Sequence, residues 1–192
     1  YIPFALQGIT TEELAKRSTC LRLQVGTVFP RPNPYPAMSI AENIGAGLRL
    51  AGVPRRAKPE MAERLLTRVG LWDEVKDRLG DPAGALSAGQ QQRLCLARSL
   101  AVGPRVLLMD EPCSTVDPSS AEIIEQTIRE ISRSVTVVIA TTDVRQAARV
   151  SDYTAYFQAD KGWPGRLVEF GPTGDLLNAP RDPRTEDYLQ GR

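Results

Sequence analysis

Three regimes of apolar spacing follow one another along the chain. Up to residue 29, short runs of the strand type, YIPFAL and LRLQVGTVF, flank a polar segment, TTEELAKRS, that reads as a helical turn. Four prolines in the nine residues PRPNPYPAM, 30 to 38, then impose an irregular loop, because proline lacks the N–H that helix and ladder both use. From 39 to 100 the spacing is helical. SIAENIGAGLRLAG opens with Ser39 and Glu42 in capping-box register. EMAERLLTRVG places Met61, Leu65, Leu66 and Val69 on one face and stops at Gly70, and LWDEVKDRLG is a shorter helix with its own terminal glycine.

Beyond residue 104 the pattern alternates between element types. RVLLMDEP and VTVVIATT read as buried strands. Between them, Asp117 is placed to cap a helix with Pro118 at its first position and Ile123, Ile124, Ile128 and Ile131 at helical spacing. DVRQAARVS is a following helix, RLVEFGPTGDLLNAP a late strand and short helix, and RDPRTEDYLQGR a polar helical tail. This order predicts an α/β fold, a parallel sheet flanked by helices. Ligands of such sheets sit beyond the carboxyl ends of the strands. Asp110 and Glu111 end one strand there, and Thr141, Thr142 and Asp143 end the next.

Composition narrows the chemistry. The 24 Lys and Arg nearly balance the 23 Asp and Glu, which predicts no nucleic-acid partner. The absence of histidine excludes His-based acid–base chemistry and His metal sites. Three cysteines, Cys20, Cys95 and Cys113, form no C-x-x-C pattern and suggest a reducing compartment, with Cys95 and Cys113 as small packing residues. The longest apolar runs are too short to span a bilayer. No signal peptide is evident, and residue 1 is Tyr, so the natural start is expected to lie upstream.

Two stretches carry candidate chemistry. In VLLMDE, a strand delivers two adjacent acids to the ligand edge, the placement used in phosphoryl transfer for a magnesium-holding Asp and a water-activating Glu; a merely polar strand end is the plainer reading. In LSAGQQQRL, Ser87 and Gln90 form a capping-box pattern, which alone accounts for both. The same helix start also presents free N–H groups and a positive dipole end to an anion, with Gly89 allowing close approach. From Gly84 the stretch mimics half of a P-loop, but Gln90 and Gln91 stand where Lys and Ser or Thr are required, and no strand precedes it.

In order, LSAGQ, VLLMDEP, STVDP and VVIATTD resemble the nucleotide-binding subunit of ATP-binding-cassette transporters: signature, Walker B, D-loop and switch strand. VGTVFPRPNPYPAMSIAENI, LLMDEPCSTVDP and QAARVSDYTAYF are further similar to the ATPase branch of Pst-type phosphate importers, with matches over roughly residues 25 to 192. The resemblance implies a single nucleotide-binding domain over 1–192: a partial RecA-like (P-loop NTPase type) sheet, a helical subdomain at 39–100, and the Walker B and D-loop half with the C-terminal segment at 101–192. It implies ATP and Mg2+ as ligands. Glu111 would polarise the attacking water and Asp110 would hold magnesium through water. Ser87, Ala88, Gly89 and Gln90 would meet the γ-phosphate of ATP on a partner, and Asp117 would couple the two sites. Implied partners are a second ATP-binding subunit and the transmembrane permease, with PNPYP as a candidate permease contact, on the inner face of the bacterial plasma membrane.

Three family positions differ. The lysine-bearing Walker A loop, which the family places ahead of residue 1, is not among these residues; without its strand and helix the remaining sheet is expected to expose apolar surface. The glutamine that ends the strand VGxVFQ is Pro30, and the switch histidine is Thr142, which cannot share a proton as imidazole does. The chain alone is therefore expected neither to bind ATP tightly nor to hydrolyse it. Two non-catalytic readings stay open: a signature-donating or regulatory partner of a complete ATPase, and an inert truncated paralogue.

Overall fold

The computed structural model describes residues 24–159 and 164–191. The runs YIPFAL and TTEELAKRS, together with Cys20, lie outside the described residues. The chain forms two units, Tyr1–Ala140 and Thr141–Arg192.

In the first unit, β1 (Val25–Val28), β2 (Val106–Asp110) and β3 (Thr136–Ala140) form a parallel sheet in the order β1-β2-β3. Register pairs Val28 with Met109 and Met109 with Ile139, so the strands share their carboxyl ends, with Asp110 beside Ala140. The α/β expectation holds. After the irregular 29–38 loop comes α1 (Ile40–Leu50), whose Ser39–Glu42 capping box is formed in both directions. Helices α2 (Lys58–Arg68) and α3 (Trp72–Val75) follow. Helix α4 (Ala88–Leu100) then leads into β2, and α5 (Pro118–Ile131) joins β2 to β3 with Asp117 as its cap. Ile40, Ile44 and Leu48 of α1, Leu94 and Leu96 of α4, and Ile124, Ile128 and Ile131 of α5 are buried core residues. The crossing of α1 on α4 depends on Gly47: a Cβ there would stand 2.7 Å from the Arg98 carbonyl oxygen and 2.8 Å from the Ala101 Cβ.

The expectation that both strands are buried needs correction. Leu107 and Met109 are buried on one face, but Leu108 is 39% exposed and Val138, its neighbour on the other face, 51%. Parallel sheets are ordinarily covered on both sides by crossover helices. Among the described residues of this unit the helices bury one face and leave the apolar residues of the other open.

The second unit holds α6 (Val144–Val150), an antiparallel pair β4 (Tyr153–Gln158) and β5 (Arg166–Pro172), α7 (Thr173–Asn178) and α8 (Pro183–Leu189). Strand β4 was not among the elements expected from spacing. Its alternation puts Tyr153 and Phe157 outward, with Tyr153 stacked on Phe170 of β5 at 5.8 Å. Glu169 ties the chain before α8 to β5 by accepting from the backbone N–H groups of Arg181 and Asp182, which holds its carboxyl below the usual range.

Candidate functional site

The start of α4 is a complete capping box. The Ser87 hydroxyl accepts from the Gln90 N–H at 3.3 Å, and the Gln90 side-chain oxygen accepts from the Ser87 N–H at 3.0 Å. The N–H groups of Ala88 and Gly89 lie in the first helical turn, where no intrahelical carbonyl is in reach. The Ser87 hydroxyl proton remains available to a further acceptor, because Ser87 serves as acceptor within the box. Gly89 has a second reason to be glycine. A Cβ there would lie 2.1 Å from the Ser120 Oγ and 2.5 Å from its Cβ, so only a bare backbone lets the start of α5 abut the start of α4.

Behind the capping box stands an ion pair. Arg93, 3% exposed, sends Nη1 and Nη2 to the two oxygens of Glu74 at 2.6 and 3.1 Å, and Nη1 also donates to the Gly70 carbonyl. Glu74 accepts in addition from Gln90 Nε2 at 2.8 Å. Arg93, and secondarily Gln90, hold the Glu74 carboxyl below the ordinary glutamate range against the opposing effect of burial. The order Ser87–Gln90–Glu74–Arg93 therefore fixes the amide of Gln90 through a residue of the short helix α3. Neither Glu74 nor Arg93 stands out as a site residue from the sequence alone. A signal was present: the apolar run LCLA directly follows Arg93, and a charge drawn into the core beside it has to be paired there.

At the carboxyl end of β2, Asp110 is exposed and Glu111 half-buried. Glu111 is the one non-glycine among the described residues with a positive φ, 44°, a left-handed conformation that costs about 1–3 kcal/mol where nothing compensates. Several bonds hold the bend. The Glu111 N–H donates to Ala140 O at 2.8 Å, and its carbonyl accepts from the Ser114 N–H and Oγ at 3.1 and 3.0 Å. The next carbonyl, of Pro112, accepts from Gln92 Nε2 at 3.1 Å. No group of three Asp, Glu, Cys or His gathers to hold a metal among the described residues.

Asp117 caps α5 by accepting from the Ser120 N–H at 2.9 Å, and the hydroxyls of Ser119 and Ser120 donate to its two oxygens. Those hydroxyls, Ser119 first, keep its carboxyl far below the usual range. Pro30 lies in the loop after β1, where its carbonyl accepts from Thr115 Oγ1 at 2.9 Å, and Phe29 O accepts from Gln92 Nε2 at 2.9 Å. The 29–38 loop is pinned farther on by buried Asn43, which bonds both backbone groups of Tyr35, and by Arg98, which donates to Asn33 and lies 4.8 Å from the Tyr35 ring. Tyr35 itself is half exposed. Thr142 belongs to the second unit, and its carbonyl accepts from the Tyr188 hydroxyl at 3.4 Å. Ser87, Gly89, Gln90, Asp110, Glu111, Asp117 and Pro30 all belong to the first unit, and direct contacts join the starts of α4 and α5 and link Gln92 to the loops bearing Pro30 and Glu111.

The sequence matches the ABC transporter family over residues 5–114, more than half the chain. It belongs to that family. It is 55% identical over 174 residues to the phosphate import ATP-binding protein PstB of Mycolicibacterium paratuberculosis, covering 90% of this chain and 67% of that one. It is 54% identical over the same length to phosphate import ATP-binding protein PstB 1 of Mycobacterium tuberculosis, with the same coverage, and 52% identical over 189 residues to PstB of Corynebacterium efficiens, covering 97% and 72%. Membership in an ATP-binding-cassette family agrees with the partial parallel sheet and with the helix start of α4 abutting that of α5. No helix among the described residues is long and apolar enough to cross a membrane.

Proposed function

We propose that the chain is an ATP-binding subunit of a bacterial phosphate importer, acting on the inner face of the plasma membrane beside transmembrane subunits. One observation carries this reading beyond the similarity to phosphate import proteins: the capped start of α4, with its Ser87 proton and first-turn N–H groups available, abuts the Asp117-capped start of α5 through the bare backbone of Gly89. The α4 start, with its positive dipole end and available donors, suits a phosphate, while the Asp117 carboxylate already satisfies the neighbouring α5 start. Ser87, Ala88, Gly89 and Gln90 contact the γ-phosphate of ATP held by a second subunit, and Asp117 links the two sites. Asp110 holds magnesium through water, and Glu111 polarises the attacking water. The pinned PNPYP loop, with Tyr35 outward, contacts the membrane subunit.

Pro30 and Thr142 favour a chain impaired in turnover by itself. Neither side chain supplies the amide or the proton-sharing imidazole that the resemblance assigns to those positions. The test is an ATPase assay of the purified chain, alone and mixed with a complete phosphate-import ATPase. The chain alone is expected to show no turnover, and the mixture a changed rate that Ser87→Ala abolishes. Turnover by the chain alone that disappears in Glu111→Gln would overturn the impairment. A mixture indifferent to Ser87 would leave an inert paralogue.

A further inference from the structure

Gln92 is 1% exposed, and its side-chain oxygen is buried without a hydrogen-bond partner. An amide in such a place is costly: a methionine of similar length would fill the space without stranding an acceptor. The return lies at its nitrogen. Nε2 donates to two carbonyls from distant parts of the chain, Phe29 O at 2.9 Å and Pro112 O at 3.1 Å. The alternative orientation of the amide would set an oxygen against both carbonyls, so the donor assignment is chemically fixed. The two acceptors are not ordinary loop carbonyls. One immediately precedes Pro30; the other immediately follows Glu111, whose left-handed φ of 44° needs external bonds to persist.

We propose that Gln92 is a positioning residue for Glu111: its amide clamps the Pro112 carbonyl and so maintains the bend that aims the Glu111 carboxylate, while tying that bend to the loop at Pro30. Helix α4 carries both ends of the device. Its first turn presents Ser87 and Gln90, and the next residues bring Gln92 to the two carbonyls, so a shift of the helix start toward an anion moves the clamp with it. Glu111 and Phe29–Pro30 are thereby set together by one side chain. The catalytic consequence rests on the role proposed above for Glu111; the clamp itself does not.

Two measurements keep these apart. In the unaltered protein, both Nε2 protons of Gln92 are expected to exchange slowly with solvent in NMR spectra, since the side chain is buried and each proton is given to a backbone carbonyl. In Gln92→Met, the amide protons of Glu111 and Ser114 are expected to exchange about tenfold faster, the worth of roughly one lost hydrogen bond, while that of Leu71, bonded within the helical region, is unchanged. Rapid exchange of the Gln92 side-chain protons, or unchanged or uniformly raised backbone exchange in the variant, overturns the proposal. In the ATPase mixture, Gln92→Met is expected to lower kcat with KM unchanged wherever Glu111→Gln lowers it. If Glu111→Gln leaves the mixed rate unaltered, the proposed function fails at Glu111 and the exchange data alone judge the clamp. If Glu111→Gln lowers kcat and Gln92→Met does not, the clamp does not position the carboxylate and the inference fails alone.

Discussion

Replacing Glu74 by Ala removes the only carboxylate bonded to Arg93 among the ion pairs of the described residues, and leaves a guanidinium that is 3% exposed. Breaking a buried pair from one side costs about 3–5 kcal/mol where the orphaned charge has no other partner. Here the figure is smaller on two grounds. Arg93 keeps the carbonyls of Gly70 and Gly89 as acceptors, and the Glu74 side chain is 39% exposed, so water already screens its half of the pair. We expect a loss of about 2 kcal/mol for Glu74→Ala, and about 1 kcal/mol for Glu74→Gln, which retains a neutral acceptor. Urea unfolding followed by Trp72 fluorescence reads the change locally, because Trp72 opens the same short helix; Trp163→Phe makes it the sole indole. The midpoint should fall at constant slope. The double variant Glu74→Leu, Arg93→Met should recover most of the loss, since an apolar pair strands no charge. Equal midpoints for the parent and Glu74→Ala would refute the reasoning, as would a double variant no more stable than the single one.

Acid acts on the same pair. The folded-state pKa of Glu74 is depressed, so its contribution is complete above the ordinary glutamate range and is lost as pH falls through the lowered folded value; the stability gap between parent and Glu74→Ala should narrow and close over that descent, read by urea midpoints across pH. Gly47→Ala should destabilise the first unit by about 2 kcal/mol or more, because the new methyl meets a backbone carbonyl that cannot turn aside, and thermal unfolding will register it. Glu111→Gly should have the opposite sign: it relieves the left-handed residue and stabilises by about 1 kcal/mol in urea, while removing whatever ATPase stimulation the carboxylate supports.

The strands, the caps and the order of elements were legible because each is written locally. Ser39 with Glu42, Ser87 with Gln90, and Asp117 before Pro118 are short-range patterns, and all three caps form as spaced. Strand β4 escaped because YTAYFQ alternates an apolar aromatic with small or polar residues directly after a helix end, and spacing alone did not separate it from the turn before it. The partners of the α4 start were illegible for a different reason. Glu74 with Arg93, Gln92 with Phe29 and Pro112, and Gly89 with Ser120 join positions far apart along the chain, and nothing in a local window states which distant carbonyl a buried amide will meet. Gly89 is the instructive case. Its sequence position explains it as room for a phosphate, whereas the packing already demands it as room for Ser120.

Val25 pairs with Val106, and the whole helical region lies between them in the chain. Bringing such distant segments together carries a loop-closure entropy that only the assembled region can offset, and contacts of this kind form late and slowly. The pairing of β2 with β3 spans only α5, a single crossover, and is the shorter closure. The folding order this dictates places α1 against α4 and β2 against β3 early, with β1 docking last. On that order the segment bearing Phe29 and Pro30 is expected to reach its place late, so the Gln92 amide is expected to meet its Pro112 acceptor before its Phe29 acceptor.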